Sequence, residues 1–317
     1  RDGVGLWWKL VNRNKRTIVL DVKHPADRSV FLQLIDDADV LVENSRPGTM
    51  ERIGLGPEVL LERRPSLVMS RVSGFGQTGP YAQRPGFATI AEAMSGFAAL
   101  NGEPDGAPLL PPIALTDEVT GLAAAFATMV ALHSGVGQVV DANLLETMFH
   151  LMGPLASLHA VTGDQQPRLG AGLPYTVPRG TYRCSDGGWV AVSTSSDSVA
   201  ARVLELIGRG DDDRFSTFEG RAEHRDELEA AMVAWCAERT QADVLDQFTT
   251  AEAAIGPVLD MADIASDPHY AARGAIETLD DTPMQSVIAR LSATPGALRW
   301  AGRGLDADGD EIRATGW

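Results

Sequence analysis

Cysteine is scarce in this sequence, with two residues, Cys184 and Cys236, among 317. They lie far apart along the chain, so their spacing matches neither a disulfide framework nor a cysteine-based metal motif. Sparse, unpatterned cysteine is typical of proteins in a reducing compartment. We therefore expect a cytoplasmic protein without a metal cofactor.

Positively charged residues are also few. The chain has 27 Lys and Arg residues against 43 Asp and Glu, which gives a net charge of −16 at pH 7. Nucleic-acid binding requires a basic footprint, so this class of function is disfavoured. A small anionic ligand is still compatible with the composition if a few cations cluster locally.

The sequence shows no signal peptide and no apolar run that approaches the roughly 18 residues of a membrane span, so we expect no membrane contact. Hydrophobic residues make up 44% of the chain, which predicts a folded globular protein. The length predicts two domains.

Strand and helix patterns alternate in the first 70 residues. β-type runs at 17–21, 39–43 and 66–70 alternate with helical patterns at 27–35 and 50–53. This order predicts an α/β fold with a doubly wound parallel sheet. Ligands of such sheets bind beyond the carboxyl ends of the strands.

Residues 115–151 form the stretch around which the chain is organised. Positions 117–133 are rich in Ala, Leu, Met and Val and predict a buried helix, which two glycines within 134–138 end. A short strand is predicted at 139–142, and a second helix begins at Leu144 with Asn143 as its N-cap. Asp117 and Asp141 lie at the two ends of this unit, where carboxylates face solvent or a site.

The second half has a different pattern. Gln, Pro and Gly at 164–179 predict a linker, and Asp186-Gly187 predicts a hairpin turn. We expect a smaller α+β domain at 181–291. The large domain would comprise 1–180 together with the tail at 292–317.

Several motifs occur in one order over most of the chain: NRNKRTIVLDVKHP, DVLVENSRPGTMERIGLGPEVL, SRVSGFGQTGPYAQRPGFATIAEAMSGF, GVGQVVDANLLE and PRGTYRCSDGGWVAVS. In these the sequence resembles the family III CoA-transferases, the CaiB/BaiF family, which also contains the α-methylacyl-CoA racemases. The resemblance implies coenzyme A as substrate, bound as an acyl-CoA, a carboxylic acid as second substrate and an interlinked homodimer. It also implies a strand–helix–strand segment before residue 1, so we expect the sequence to be incomplete at its N-terminus.

Two polar clusters are candidates for holding CoA. Residues 12–16 place three cations within four positions, and the resemblance assigns CoA contacts here, so we select Asn12, Asn14, Lys15 and Arg16. The alternative is a solvated basic turn. The second cluster is Asn44, Arg46 and Arg52, which the resemblance matches to the adenosine-diphosphate end of CoA. Its alternative is a surface pairing of Arg52 with Glu51 or Glu58.

The stretch around Gly86 distinguishes the branches of the family. We include Gly86 among the cofactor-binding positions. In the racemase branch the position of Phe87 carries an acid/base His, and Phe cannot transfer a proton. Asp117 matches the partner Asp of the racemases, so only half of that pair is present. The alternative is that Asp117 or Thr116 caps its helix.

The transferase branch uses an Asp nucleophile that forms a mixed anhydride and then an enzyme-bound CoA thioester. We expect its position at 158–160, most directly at Ala160, so the nucleophile would be lost here. His159 beside it is either a base or, as an alternative, a packed histidine.

The sequence therefore predicts an acyl-CoA:carboxylate CoA-transferase. Two alternatives stay open: an acyl-CoA isomerase, racemase or lyase without a covalent intermediate, and a catalytically silent CoA-binding subunit.

Overall fold

The computed structural model describes residues 3–316. A parallel sheet of three strands runs in the order β1 (Val40–Glu43), β2 (Val68–Ser73) and β3 (Gln138–Asn143). Val68 of the central strand pairs with Val40 on one side and with Gln138 on the other. This parallel sheet with its flanking helices confirms the predicted α/β class.

Helices connect and flank these strands. They are α1 (Leu6–Val11), α2 (Pro25–Asp37), α3 (Thr49–Arg52), α4 (Pro57–Arg63), α5 (Ala88–Met94), α6 (Phe97–Leu100), α7 (Leu115–Ser134), α8 (Leu144–His150) and α9 (Leu155–Thr162). On one side of the sheet α2 and α4 enclose a core of Ile35, Leu60, Leu67 and Met69. Asn143 caps α8 by accepting a hydrogen bond from the Glu146 N–H, as predicted.

The long helix α7 buries a narrow stripe of small residues. Thr116, Thr120, Ala124, Thr128 and Ala131 are its buried positions, and they recur every three or four residues. Small side chains bring this face close to β2 and β3. The helix is also long and apolar enough to cross a membrane by length and composition, contrary to the expectation that no run approaches that length. Its buried stripe shows that one face already packs against protein.

An antiparallel sheet forms the core of the second half. It contains β4 (Arg179–Arg183), β5 (Trp189–Ser193) and β6 (Ile255–Pro257), and the hairpin turn at Asp186-Gly187 is confirmed. Its helices are α10 (Asp197–Leu206), α11 (Phe218–Glu223), α12 (Arg225–Ala237), α13 (Gln241–Thr250), α14 (Met261–Ser266) and α15 (Pro268–Ala272).

The hairpin of β7 (Ile276–Leu279) and β8 (Thr282–Gln285) packs away from that sheet. Leu279 and Met284 join Leu10, Leu298 and Ala301 in a small cluster, so the hairpin lies against α1 and the tail. The last helix is α16 (Gly309–Thr315). The proposed domain boundaries at 180 and 292 stay a prediction.

The predicted strand at 17–21 is wrong. The backbone there is extended but has no neighbouring strand among residues 3–316. The Thr17 N–H donates to Asp308 Oδ2 at 2.9 Å, and the Val19 N–H donates to Asp306 Oδ1 at 2.8 Å. Carboxylates of the tail thus satisfy the amide groups that a strand would have offered to a sheet.

Candidate functional site

A polar loop follows β1 and carries the second predicted cluster. Asn44 and Arg46 are exposed, and neither side chain has a hydrogen bond or ion pair within residues 3–316. The Arg52 guanidinium donates to Thr49 Oγ1 at 2.9 Å. No ion pair within 4.0 Å joins it to Glu51 or Glu58 among the described residues, although the charge of Arg52 contributes, after the bond to Arg71, to the lowered pKa of Glu51. Two guanidinium groups are therefore available on this surface for an anion.

A buried arginine lies directly beneath that loop. Arg71 on β2 donates through Nε to Glu43 Oε1 at 2.7 Å and through Nη1 to Glu51 Oε1 at 2.7 Å. Hydrogen bonding to Arg71 is the main cause that lowers the pKa of Glu51. Burial by itself would lower the pKa of Arg71, but its bonds to Glu51 and Glu43 outweigh this and leave that pKa raised. Sequence reasoning missed Arg71, because one polar residue inside a strand pattern carries no distinguishing spacing.

The glycine loop after β2 is held by a hydrogen bond to β3 and by tight packing against the loop at Gly86. The Gln77 N–H donates to Asp141 Oδ2 at 2.9 Å, which ties the loop to the end of β3. A side chain at Gly86 would meet the Phe75 ring at 2.8 Å, and one at Gly74 would meet the Gly86 Cα at 3.1 Å. Gly86 is thus required by packing between two loops. Both loops lie on the side of the sheet to which the strand ends point.

In the basic segment at 12–16, some side chains bond other parts of the chain and others do not. Asn14 adopts a left-handed backbone with φ of 58°, and its amide bonds both the Ala297 carbonyl and the Arg299 N–H at 2.7 Å. Arg16 forms an ion pair with Glu311 at 3.2 Å, and Asn12 bonds the Trp8 carbonyl. Lys15 is exposed, and its ammonium has no partner within the described chain. Lys15 is therefore the group in this segment that is free to bind an anion.

Asp117 lies in the first turn of α7 and does not cap it. The N-cap is Ala114, which makes no side-chain cap, and the Thr116 hydroxyl instead donates to Glu92 Oε1 at 2.8 Å. The capping alternative for Asp117 and Thr116 is therefore wrong. The Asp117 carboxylate is exposed and has no hydrogen bond or ion pair within residues 3–316. A helix N-terminus favours negative charge at this position.

The first turn of α7 borders a cavity of about 880 Å³. Arg13 and Glu118 both line it, among apolar side chains that include Trp7, Leu10 and Ile113. The Arg13 guanidinium is held by the carbonyl oxygens of Leu10 and Gln285. The cavity thus brings the segment at 12–16 and the start of α7 to one place.

Helix α9 carries the position predicted for the lost nucleophile. Ala160 is exposed and lies in the last turn of α9, whose described residues include none that is buried. His159 lines a cavity of about 230 Å³ with Ser95 and Asp164, and Ala160 is not in its lining. The His159 Nδ1 lies 3.3 Å from the Asp164 carbonyl oxygen. His159 is therefore hydrogen-bonded to backbone at the surface, without a carboxylate partner in the described chain.

A family model described as CoA-transferase family III matches residues 1–308. The chain belongs to CoA-transferase family III. It is 37% identical to the succinyl-CoA–D-citramalate CoA-transferase of Chloroflexus aurantiacus, over 98% of this chain and 80% of that protein. It is 30% identical to the succinate–glutarate CoA-transferase of Agrobacterium fabrum, over 94% and 78% of the two chains.

A solved structure supports the fold of this family III chain. A CaiB/BaiF family protein from Brucella suis superposes with a TM-score of 0.84 at 30% identity, over 97% of this chain and 83% of that one. The predicted resemblance is thereby confirmed, and the chain is a CoA-transferase with CoA thioesters as substrates. Among residues 3–316, no group of three or more His, Cys, Asp or Glu side chains is arranged to hold a metal ion.

Proposed function

We propose that this family III chain is an acyl-CoA:carboxylate CoA-transferase that exchanges CoA between a short dicarboxylic acyl-CoA and a second carboxylic acid. Succinyl-CoA is the donor that we favour, because several relatives carry succinyl-CoA or succinate in their names. The observation that carries the proposal is the exposed Asp117 carboxylate, which has no partner within residues 3–316 and directly precedes Glu118, a residue of the cavity that Arg13 also lines.

A carboxylate suits this reaction because it attacks a thioester and leaves again without a net change in oxidation state. The Asp117 oxygen would attack the thioester carbonyl, and the CoA thiolate would leave to give a mixed anhydride. The thiolate would then attack the Asp117 carbonyl carbon and release the donor acid as a carboxylate. The acceptor acid repeats these two steps in reverse, which forms the new acyl-CoA and restores Asp117.

The cations would hold the phosphates of CoA. Within residues 3–316 the Lys15 and Arg46 side chains have no hydrogen bond or ion pair, and the Arg52 guanidinium donates to a neighbouring hydroxyl. Charge-assisted hydrogen bonds from such groups are the strong contacts of phosphate recognition. We extend this assignment to Asn44 and, through the shape of the loop at 84–87, to Gly86.

Ala160 gives a competing assignment of the nucleophile. If the family's Asp position is at Ala160, then the chain binds CoA and forms no covalent adduct. A carboxylate there would face the negative C-terminal end of α9, whereas Asp117 lies at the favourable N-terminal end of α7. We therefore propose Asp117 as the nucleophile and treat Ala160 as the alternative.

Chemical trapping distinguishes the two assignments. The protein is incubated with succinyl-CoA, treated with hydroxylamine and digested, and an aspartyl hydroxamate is sought by mass spectrometry. We expect it at Asp117, and we expect Asp117→Asn to lose it. Asp105→Asn, the same change at an exposed residue outside the cavity lining and without a side-chain partner in the described chain, should retain it. An adduct that appears only in Ala160→Asp would reject Asp117 and support the lost nucleophile. Exchange of the α-proton with deuterium and no adduct in either protein would favour an isomerase.

A further inference from the structure

Arg71 occupies the centre of a short chain of ion pairs that crosses three elements. Its side chain is 5% exposed and joins Glu43 at the end of β1 to Glu51 in α3. The bond to Glu51 is two-pronged, because Nη2 also approaches Glu51 Oε2 at 3.3 Å. Arginine provides this forked geometry and lysine does not.

The chain of bonds continues into the loop that carries Arg46. Glu43 uses its second oxygen, Oε2, to accept a hydrogen bond from the Ser45 N–H at 2.7 Å. On the other side of Arg46, Pro47 is buried. Arg46 is thus an exposed residue between two anchored neighbours.

The other end of the chain fixes the helix that carries Arg52. Glu51 directly precedes Arg52 in α3. Gly56 packs so tightly on Glu51 that a side chain at Gly56 would meet the Glu51 Cγ at 2.9 Å. The Glu51 side chain is therefore confined between Gly56 and the Arg71 guanidinium.

Arg71 also neutralises negative charge close to the loop that carries Arg46. Two carboxylates, Glu43 and Glu51, lie within hydrogen-bonding distance of it. Without Arg71 they would repel an anion that approaches Arg46 and Arg52, and the buried charge of Glu43 would be uncompensated.

We propose that Arg71 is a positioning residue for the nucleotide end of CoA, acting through Glu43 and Glu51 on the loop and helix that present Arg46 and Arg52. This inference rests on the proposed CoA site. It predicts a defect that depends on the nucleotide portion of the substrate and leaves the chemistry of the thioester unaffected.

The test uses Glu51→Gln, because Glu51 is 44% exposed and its loss disturbs the core less than the loss of Arg71. Glu58→Gln is the matched control. It removes the same charge seven residues away, from an exposed side chain without a partner in the described chain. Each variant is compared for CoA affinity by calorimetry and for turnover with succinyl-CoA and with succinyl-pantetheine, which lacks the nucleotide. Arg71→Lys is a second variant that retains the charge and removes the fork.

We expect Glu51→Gln and Arg71→Lys to weaken CoA binding by roughly tenfold and to raise the KM for succinyl-CoA in parallel, with kcat little changed. Turnover of succinyl-pantetheine should change by less than about twofold. In an Arg46→Ala background the effect of Glu51→Gln on CoA affinity should shrink, because the positioned group is already absent.

The outcomes separate this inference from the site on which it rests. If Arg46→Ala weakens CoA binding and neither Glu51→Gln nor Arg71→Lys exceeds Glu58→Gln, then the inference is overturned and the site stands. Equal losses with both thioesters would also overturn it, since they would show a general structural defect. If Arg46→Ala itself leaves CoA affinity unchanged, then Arg46 is not part of the CoA site and the inference fails with it.

Discussion

Thr116 and Glu92 form a buried hydrogen bond of 2.8 Å between the Thr116 hydroxyl and the Glu92 carboxylate, with 0% and 3% of the two residues exposed. This bond joins the first turn of α7 to α5, which begins two residues after Gly86. It therefore connects the element that carries Asp117 to the loop that packs on the glycine turn.

Thr116→Val should lower the free energy of unfolding by about 1–3 kcal/mol, because it leaves a buried carboxylate oxygen without its donor. Thr120→Val is a matched control one helical turn later. The Thr120 hydroxyl is buried without a partner in the described chain, so its removal should be neutral or stabilising. Urea unfolding measures both variants, and equal losses would contradict the role of the Thr116 bond.

Removal of either free cation should weaken CoA binding. Lys15→Ala and Arg46→Ala each delete a charge-assisted phosphate contact of about 1.5–3 kcal/mol, which corresponds to a rise in Kd of roughly ten- to a hundredfold. Lys23→Ala is the control, because Lys23 is also exposed and its side chain has no partner in the described chain. Calorimetry with CoA tests this, and unchanged affinity in both variants would reject the site.

Acid should release the tail from residues 17–19. The hydrogen bond from the Thr17 N–H is the main cause that lowers the pKa of Asp308 below its ordinary value of 3.8. A lowered pKa in the folded state means that this stabilisation is present above about pH 4 and is lost as the pH falls through the folded pKa. Asp308→Asn should therefore lower the Tm at pH 7, and its difference from the parent protein should close in acid. Asp310→Asn is the control, because the ion pair of Asp310 with Arg313 lies at the surface, and it should change the Tm at pH 7 less than Asp308→Asn does.

The two cysteines should be unreactive in the native protein. Both are buried in one hydrophobic cluster, although they are 52 positions apart in sequence. Burial, and secondarily the nearby Cys184, raises the pKa of Cys236 to about 12, and burial also raises the pKa of Cys184. Since the thiolate is the reactive form, alkylation at pH 8 should label neither residue until denaturant is added. Rapid labelling of the folded protein would contradict this environment.

A second copy of the chain should cover the outer face of α7 to α9. Large apolar side chains are exposed there, among them Phe126 at 73%, Met129 at 62% and Val161 at 84%. Large apolar side chains exposed in such number are typical of an interaction site. Light scattering should give twice the chain mass of 33.8 kDa, and Phe126→Asp should shift the protein towards the monomer. A monomer mass would reject the predicted homodimer.

Sequence patterns predicted those parts of the fold whose interactions are local. Asn143 was identifiable as an N-cap because its partner, Glu146, lies three residues further on. The hairpin at Asp186-Gly187 follows from neighbouring residues in the same way.

Long-range polar contacts account for what the sequence could not predict. Asn14 was predicted to contact CoA. Its side-chain amide instead bonds the backbone of residues 297 and 299, more than 280 positions away. Arg71 and Glu43 belong to different strands, and only the parallel register places Glu43 opposite Arg71. Neither contact produces a residue spacing that could be recognised in the sequence.

The hydrogen bonds between residues 14–19 and the tail have a consequence for biosynthesis. Thr17 leaves the ribosome 291 residues before Asp308, the residue that accepts its amide hydrogen bond. During translation the segment that carries Lys15 therefore lacks its native hydrogen-bond partners until nearly the whole chain has been made. We expect the proposed CoA-binding segment at 12–16 to mature late, and nascent chains halted before residue 306 to leave that segment accessible to proteases.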